Sequence, residues 1–388
     1  MKTDILIVGS GCSGLYAALN LPEELDIMLI TKSDFESSDS FLAQGGMCTL
    51  KDPSDYDSFF EDTLKAGHYE NDRKSVEIMI KSSPDVVKDL VKYGASFTRD
   101  ENGDFVYTRE GAHAHHRILF HEDVTGKEIT SHLLDAVKKL KNVRMYEYTT
   151  LLDILYDGNK CCGGIIRWPD GREEQIEADY VILATGGIGG TYKHSTNFKH
   201  LTGDGVEIAK RHNIELKNLD YVQIHPTTLY SDNKEERSFL ISESVRGEGA
   251  RLYDKNMNRF VDELLPRDLL TQEIYKQMEK DGTDFVWEDL RTIPRDELIS
   301  HFPNIIEHCN QAGYDVFNEC IPIVPAQHYF MGGIKVNHNS KTSMDHLYAV
   351  GETACNGVHG KNRLASNSLL ESLVFAKRAA KEIAGERR

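Results

Sequence analysis

The feature that most constrains the fold is a glycine-rich motif close to the start of the chain. An apolar run at residues 5–8 leads directly into Gly9, Gly11 and Gly14, which form GxGxxG, and a helix-like stretch follows. An unbroken apolar run is typical of a parallel strand that is buried on both faces. After such a strand, the first glycine makes the turn, the second lets the backbone approach a pyrophosphate, and the third allows the helix to pack closely. The motif therefore predicts a dinucleotide site, with a purely structural turn as the alternative.

Two further apolar stretches end in glycine, at residues 180–187 and 346–352, and residues 26–31 supply a second parallel strand after the first helix. Strands that end together at a ligand are typical of a doubly wound sheet. Residues 151–172 contain two turn signals and predict an antiparallel hairpin. We therefore predict an α/β fold with a doubly wound, Rossmann-like nucleotide-binding domain.

The middle of the chain differs from both flanks. Residues 219–329 contain charged helix-like segments, six of the ten prolines and no strand that runs into glycine. We predict that they form an inserted α+β capping domain. The nucleotide-binding domain then consists of residues 1–218 and residues 330–388.

Composition limits the partners and the compartment. Acidic residues outnumber basic ones by 62 to 45, and a formal net charge of −17 disfavours binding to nucleic acid. No run approaches the roughly 18 apolar residues of a membrane span, and a strand that starts at Asp4 leaves no room for a signal peptide. Seven cysteines without a CxxC pair indicate reduced thiols. We expect a cytoplasmic protein that binds no membrane.

The residue that normally holds a ribose hydroxyl is missing. An acidic residue is expected about 20 positions after the glycine motif, but Thr31 and Lys32 stand there. Lys32 indicates either a phosphorylated ribose, as in NADP, or a lysine that only lines the adenosine pocket. We favour the second interpretation because of the motifs that follow.

Five short motifs follow one another along nearly the whole chain: 43–46 (AQGG), 184–187 (ATGG), 202–205 (TGDG), 351–352 (GE) and 366–370 (SNSLL). Each alone is compatible with a loop or a helix cap. In this order they resemble the flavin-dependent family of succinate dehydrogenase, fumarate reductase and L-aspartate oxidase.

The resemblance implies FAD as the cofactor. It places Glu352 at the ribose, Ser368 and Leu369 at the flavin ring, and Asp204 near the dinucleotide. Membrane-bound members attach FAD through a histidine five positions before the Gln of the AQGG motif, where this chain has Asp39. Aspartate cannot form that bond, so we predict non-covalent FAD. The predicted cofactor contacts are Gly9, Ser10, Gly11, Cys12, Ser13, Gly14, Lys32, Ser40, Gln44, Gly45, Gly46, Asp204, Glu352, Asn367, Ser368 and Leu369.

Three features of the inserted region have residue types suited to a dicarboxylate. His225 precedes a proline and is therefore held in extended backbone, although such a histidine is more often structural. Glu243 and Arg246 are three apart and can pair on a helical turn, with a surface salt bridge as the alternative. Arg267 follows a proline at a predicted helix start, an unusual position for a cation. Arginine suits carboxylates because its planar fork binds both oxygens.

The resemblance assigns roles to these residues. Arg363 and His328 match one carboxylate clamp, and His225 and Ser242 match the other. Arg267 matches the arginine that exchanges a proton with the substrate. Glu243 and Arg246 match a relay that connects this arginine to solvent.

The loop at residues 107–117 resembles the aspartate oxidase version within the family. Its Glu110 stands where the substrate amine is expected, and a carboxylate there favours an ammonium over a further acid. One alternative is a metal site built from His113, His115, His116 and His121, which lacks a zinc-like spacing, so we predict no metal. The other alternative is a solvated basic loop.

The resemblance thus implies oxidation of L-aspartate to iminoaspartate, with oxygen or fumarate as acceptor and a hand-off to quinolinate synthase in NAD synthesis. The alternatives are a soluble fumarate reductase or succinate dehydrogenase flavoprotein, and an inactive flavin-binding protein. Family members continue into a C-terminal helical bundle, and we expect this chain, which ends at Arg388, to lack it.

Overall fold

The computed structural model describes residues 1–233 and 236–387. The strands are β1 (Lys2–Val8), β2 (Ile27–Ile30), β3 (Met47–Cys48), β4 (Ile118–Leu119), β5 (Val143–Tyr146), β6 (Thr150–Asp157), β7 (Lys160–Arg167), β8 (Glu173–Leu183), β9 (Leu216–Lys217), β10 (Val222–Leu229), β11 (Arg251–Tyr253), β12 (Val286–Asp289), β13 (Ile321–Phe330), β14 (Gly333–Lys335), β15 (Leu347–Ala349) and β16 (Ala354–Cys355). The helices are α1 (Cys12–Asn20), α2 (Asp39–Leu42), α3 (Tyr56–Ala66), α4 (Arg73–Tyr93), α5 (Thr125–Val137), α6 (Asp204–Arg211), α7 (Glu243–Gly247), α8 (Arg267–Asp281), α9 (Arg295–His301), α10 (Pro303–Gln311) and α11 (Asn367–Glu386).

The main sheet confirms the doubly wound prediction. Its order is β5-β2-β1-β8-β7-β6, and β15 pairs with the second half of β8. Strands β5, β2, β1, β8 and β15 are parallel, whereas β6, β7 and the first half of β8 form the predicted antiparallel hairpin region. Leu183 pairs with both Val8 and Ala349. Three strands therefore end at one edge, and each runs into one of the glycine motifs.

Successive side chains of β1 point to opposite faces of the sheet and pack into two separate apolar cores. Ile5 and Ile7 pack with residues of α1, α4, α5 and α11 on one face. Leu6 and Val8 pack with the hairpin strands and α6 on the other. Because both faces are covered, the unbroken apolar run of the sequence is explained.

The inserted region has its own sheet and core. Strands β10, β13, β12 and β11 form an antiparallel sheet in that order, and a third apolar core draws on residues between Leu229 and Ile323. This is the expected α+β architecture; the boundaries at 219 and 329 stay predictions. Asp123, which belongs to the nucleotide-binding part, accepts hydrogen bonds from the N–H groups of Asn304 (3.2 Å) and Ile305 (2.8 Å) at the start of α10.

Two findings bear on the expected compartment. Over residues 1–233 and 236–387, no helix combines the length and apolar character needed to cross a bilayer. All seven cysteines are free thiols, and six of them are buried.

Candidate active site

A cavity of about 440 Å³ extends from the carboxyl edge of the main sheet to the inserted region. Most sequence-predicted site residues line it: Gly9, Ser10, Gly11, Ser13, Lys32, Ser40, Gln44, Gly45, Gly46, Glu110, Asp204, His225, Ser242, Glu243, Arg267, His328, Glu352, Arg363, Ser368 and Leu369.

Four predicted residues lie behind the wall instead. Cys12, the first residue of α1, donates its backbone N–H to Ser40 Oγ (3.1 Å), and its side chain is buried. Gly14 packs on the preceding turn, Asn367 donates to Thr63 Oγ1 (3.2 Å), and Arg246 is buried inside the inserted region. None of these four residues lines the cavity; the cofactor contacts of Cys12, Gly14 and Asn367 and the relay role of Arg246 stay predictions.

The turn before α1 has no room for side chains. Gly9 has a φ of +119°, and a Cβ there would stand 2.0 Å from the carbonyl oxygen of Ala184. A Cβ on Gly14 would stand 2.0 Å from the carbonyl oxygen of Gly9. The amino end of α1 therefore opens onto the cavity with its backbone exposed, which is the arrangement that binds a pyrophosphate.

The segment around α2 presents buried polar atoms that have no hydrogen-bond partner among the described residues. They are Ser38 Oγ, Asp39 Oδ2 and Gln44 Oε1, and all three residues line the cavity. Buried polar atoms in proteins are normally paired, so the wall fits a polar ligand such as the FAD that the motifs imply. Burial raises the pKa of Asp39 to about 7, against the opposing effect of Arg237.

Lys32 is neutralised within the protein. Its Nζ donates to Asp204 Oδ2 (2.6 Å) and to Thr202 Oγ1 (3.2 Å). An ammonium already paired with a carboxylate is a poor ligand for an additional phosphate, which favours the adenosine-pocket interpretation over NADP.

Glu352 lies where β13 and the loop after β15 meet. Its Oε1 accepts the backbone N–H of Phe330 (2.8 Å). A Cβ on Gly187 would stand 2.3 Å from this oxygen, so the glycine of the ATGG motif leaves room for the carboxylate. Burial raises the pKa of Glu352 to about 8, and Asp39 adds to the shift.

A chain of charged side chains starts at the first residue of α8. Arg267 Nε donates to Glu243 Oε2 (2.6 Å), and Arg246 Nη2 lies 3.9 Å from the same oxygen. None of the three is more than 7 % exposed, so the surface salt bridge alternative is wrong. Burial by itself would raise the pKa of Glu243, but the two guanidinium groups hold that pKa below its usual value.

Gln223 joins two guanidinium groups, and our sequence analysis missed it. Its Oε1 accepts from Arg267 Nη1 (2.9 Å) and Arg363 Nε (3.3 Å), and its Nε2 donates to Asn362 Oδ1 (2.7 Å). Arg363 also donates to Ser368 Oγ and lies 4.5 Å from the centre of the Tyr329 ring. The available signal was its position two residues before His225 in the same polar motif.

Two histidines meet beside these arginines. The rings of His225 and His328 are 5.0 Å apart, and His328 Nδ1 lies 2.7 Å from Thr196 Oγ1. Burial, with Arg267 nearby, lowers the pKa of both far below the usual range, so both imidazoles are neutral. The Thr227 N–H donates to His225 Nδ1, but His225 Nε2 is buried and has no hydrogen-bond partner in the part of the chain that the structure describes. This orphaned nitrogen favours ligand binding over a purely structural histidine.

Glu110 adds one carboxylate to the same cavity. Its Oε1 accepts from Ser244 Oγ (3.1 Å) and its Oε2 from Ser366 Oγ (2.5 Å). It is 4 % exposed, so it does not belong to a solvated loop. Burial raises its pKa, and Glu243 raises it further. A Cβ on Gly45 would stand 2.2 Å from Oε1, so the AQGG motif leaves room for this carboxylate.

The histidines of the same loop do not converge. His113 is buried with Nδ1 at 3.0 Å from Arg117 Nη1 and Nε2 at 3.1 Å from the carbonyl oxygen of Ala365. Burial lowers its pKa to about 4. His115 and His116 are exposed. Within residues 1–233 and 236–387 no three side chains are grouped as metal ligands.

Comparison with known proteins agrees with this geometry. Residues 4–369 match a family model described as an FAD binding domain. The L-aspartate oxidase of Clostridium perfringens is 52 % identical over 380 residues, which cover 98 % of this chain and 86 % of that protein. The chain belongs to the L-aspartate oxidase family.

More distant members and solved structures extend the picture. The L-aspartate oxidase of Nostoc is 42 % identical over 97 % of this chain and 67 % of that protein. E. coli quinol fumarate reductase has a TM-score of 0.93 at 30 % identity, covering 99 % of this chain and 70 % of that chain. A flavocytochrome c3 fumarate reductase in an open conformation scores 0.78 at 26 % identity over 99 % of this chain and 78 % of that one. The L-aspartate oxidase family assignment confirms the resemblance inferred from the five motifs.

Proposed function

We propose that the protein oxidises L-aspartate to iminoaspartate with non-covalent FAD as the hydride acceptor. The observation that carries this proposal is the carboxylate of Glu110, which shares the cavity wall with Arg267, Arg363 and the two histidines and, unlike Glu243, has no hydrogen bond from an arginine among the described residues. That combination matches a ligand with two carboxylates and one ammonium group. The relatives named L-aspartate oxidase support the same substrate.

Two groups of side chains bind the two carboxylates of the substrate. Arg363 and neutral His328 bind one carboxylate, while neutral His225 and Ser242 bind the other. Guanidinium groups bind carboxylates through two parallel hydrogen bonds, and neutral imidazoles donate one each. A dicarboxylate held at both ends keeps its central carbons in a fixed position, which is the main requirement for a transfer between two bound reactants.

Glu110 binds the ammonium group of the substrate. Its two serine donors fix the direction of the carboxylate, and an arriving ammonium adds a charge-assisted hydrogen bond. An ammonium beside Glu110 also lowers its pKa and keeps it ionised.

Arg267 moves the substrate proton. It lies in the cavity wall and contacts Glu243 through Nε, so a proton taken up at Arg267 passes to a carboxylate 2.6 Å away. Gln223 fixes the other face of the guanidinium group. Glu243 and Arg246 continue the relay.

FAD supplies the two-electron chemistry when it is bound. The backbone of Gly9 and Gly11 at the start of α1 receives the pyrophosphate. Glu352 binds a ribose hydroxyl, and Asp204 with Lys32 closes the adenosine end. Asp39 replaces the histidine that covalent attachment requires.

We propose oxygen or fumarate as the final acceptor, because fumarate suits the same carboxylate clamps. We further propose that iminoaspartate passes to quinolinate synthase for NAD synthesis in the cytoplasm.

Anaerobic titration of the purified flavoprotein tests the proposal. L-Aspartate is expected to bleach the oxidised flavin absorbance stoichiometrically, and succinate to bleach it much more slowly. Bleaching by succinate alone would identify a succinate dehydrogenase or fumarate reductase. A flavin that stays oxidised with both would identify an inactive flavin-binding protein.

A further inference from the structure

One histidine of the loop that carries Glu110 is buried and takes no part in the binding described above. The side chain of His113 is buried, whereas that of His116, three residues further on, is exposed. Both ring nitrogens of His113 have partners. Arg117 Nη1 lies 3.0 Å from Nδ1, and the carbonyl oxygen of Ala365 lies 3.1 Å from Nε2. His113 therefore joins this loop to the segment that leads into α11.

The two partners of the ring determine where its proton lies. A guanidinium group only donates hydrogen bonds, so His113 Nδ1 accepts from Arg117. A carbonyl oxygen only accepts, so His113 Nε2 carries the hydrogen and donates to Ala365. Burial and the charge of Arg117 lower the pKa of His113 to about 4, which keeps the ring neutral. One tautomer of the neutral ring thus satisfies both partners.

Two carboxylates fix the arginine that selects this tautomer. Arg117 is fully buried and donates to Asp55 through Nε and Nη2 (2.8 and 2.9 Å) and to Asp62 through Nη1 (2.7 Å). Asp62 lies on α3, and its Oδ2 also accepts the backbone N–H of Ala114 (2.8 Å), the residue after His113. Charge-assisted hydrogen bonds of this kind are strong and directional. Arg117 and Asp62 therefore fix His113 relative to α3.

The segment on the other side of the ring has an unusual backbone. Ser366 follows Ala365 and has a φ of +60°, which residues other than glycine rarely adopt. Its Oγ donates to Glu110 Oε2 (2.5 Å), and its carbonyl oxygen accepts the N–H of Cys48 (2.9 Å). The Cys48 thiol also lies 3.5 Å from the carbonyl oxygen of Ala365, but a thiol is a weak donor. Such a conformation persists only where the surroundings hold it, and His113 supplies the stronger donor to the preceding carbonyl group.

We propose that His113 is a positioning residue that sets the preference of the site for an amino diacid, an inference that rests on the proposed function. Through Ala365, His113 holds Ser366 in its left-handed conformation. Ser366 in turn directs the carboxylate of Glu110 towards the ammonium group of the substrate. His113 does not line the cavity, so it acts through these residues and not on the substrate.

The carboxylate-binding arginine of the same segment is held independently. Arg363 Nε donates to Gln223 Oε1 (3.3 Å), and its guanidinium group also donates to Ser368 Oγ. The carbonyl oxygen of Arg363 accepts from Gln223 Nε2 (2.8 Å). None of these contacts passes through His113. Loss of the His113 hydrogen bond to Ala365 should therefore disturb recognition of the ammonium group and leave recognition of a plain diacid nearly unchanged.

Two amide substitutions separate the roles of the two ring nitrogens. The amide nitrogen of His113→Gln reaches about as far as Nε2 and still donates to Ala365. The shorter amide of His113→Asn reaches about as far as Nδ1, so it accepts from Arg117 but does not reach Ala365. His116→Asn is the matched control, because His116 Nδ1 lies 3.2 Å from the carbonyl oxygen of Tyr107 on the same loop, and neither residue lines the cavity.

The experiment measures kcat/KM for L-aspartate and the inhibition constant of succinate in the wild-type holoenzyme and the three variants, with flavin absorbance as the check that FAD is bound. We expect His113→Asn to lower kcat/KM for L-aspartate by about three- to tenfold, while the inhibition constant of succinate changes by less than about twofold. His113→Gln should recover most of this loss, and His116→Asn should match the wild type.

Ser366→Ala tests whether His113 acts through Ser366. This variant removes the hydroxyl that donates to Glu110, so it should also lower kcat/KM for L-aspartate without weakening succinate. Adding His113→Asn to Ser366→Ala should cause little further loss, because substitutions along one chain of hydrogen bonds are not additive. If His113→Asn does not bind FAD, Ser366→Ala and His113→Gln decide the question. A selective loss in the first with a retained preference in the second supports the positioning role, and any other combination overturns it.

Equal losses for L-aspartate and succinate in His113→Asn, equal effects of the Asn and Gln variants, or fully additive losses in the double variant would overturn the positioning role while leaving aspartate oxidation intact. A wild-type flavin that L-aspartate does not reduce would overturn the proposed function and this inference together.

Discussion

Glu110→Gln separates recognition of the amine from recognition of the carboxylates. The variant keeps the shape of the side chain, and the hydroxyls of Ser244 and Ser366 can reorient to accept from the new amide, so the cavity wall is expected to fold normally. What disappears is the negative charge facing the substrate ammonium. A hydrogen bond to a charged group contributes about 1.5–3 kcal/mol. At 1.4 kcal/mol for each factor of ten, kcat/KM for L-aspartate should fall by about 10- to 150-fold.

Dicarboxylates without an amine should respond in the other direction. Succinate as a competitive inhibitor, and fumarate as an acceptor, should bind at least as tightly in Glu110→Gln, because one negative charge near them is gone. The assay compares kcat/KM for L-aspartate with the inhibition constant of succinate and the KM of fumarate. Ser244→Ala is the matched control, since it removes one donor to Glu110 but keeps its charge, and should cost less than tenfold. Equal losses for all three ligands would refute the assignment of Glu110 to the amine.

Three further predictions test the proton path, the contact between the two parts of the chain, and a buried acid. Arg267→Ala should lower kcat by about 10²- to 10⁴-fold, while the flavin absorbance shows that FAD is still bound. Near-normal turnover would contradict a role of Arg267 in proton transfer. So would an Arg267→Lys variant that regains turnover without regaining the wild-type pH profile. Asp123→Ala removes the acceptor for the N–H groups of Asn304 and Ile305 and should cost about 1 kcal/mol of unfolding free energy, with faster limited proteolysis at α10; unchanged proteolysis would argue against this contact. Folding raises the pKa of Glu371 from 4.5 to about 7, so the native state binds the proton more tightly, and stability present below pH 4.5 is lost as the pH rises through 7. Between pH 5 and pH 8, the free energy of unfolding of Glu371→Gln, measured with urea, should therefore rise by up to about 3 kcal/mol relative to that of the wild type. If the difference between the two proteins does not change with pH, ionisation of Glu371 does not destabilise the fold.

The nucleotide half of the fold was predictable because its signals are local. The apolar run before Gly9 predicts a buried parallel strand. Gly9 has a positive φ, and a Cβ there would stand 2.0 Å from the Ala184 carbonyl oxygen, which explains why the motif needs glycine. The strands that lead to Gly186 and Gly351 repeat the same pattern. Each of these strand–glycine patterns occupies fewer than ten consecutive residues, so it can be recognised from the sequence alone.

The substrate end was only partly predictable because its residues meet across long sequence separations. The family motifs identified Arg267, Arg363 and the two histidines, but nothing in the sequence shows that Gln223 binds both guanidinium groups. Arg237 was missed for the same reason: it lies in a charged stretch without periodicity, and only the folded chain brings it to the cavity wall beside Asp39. The family resemblance implied that Arg246 connects the relay to solvent, and no pattern in the sequence indicated that its side chain is only 1 % exposed.

The charges at the substrate end argue for an amino diacid over a plain diacid. Arg267, Arg363 and Arg246 are balanced by Glu243 and Glu110, which leaves one net positive charge among five buried side chains, and both nearby histidines are neutral. Aspartate carries one net negative charge and makes this buried site neutral, whereas succinate or fumarate carries two and leaves it negative. Since a low-dielectric interior penalises uncompensated charge, the protein favours the amino acid even though the same arginines bind both ligands. Replacing Glu110 by glutamine raises the net charge to two positive, which matches the plain diacids, so one substitution should invert the order of affinity.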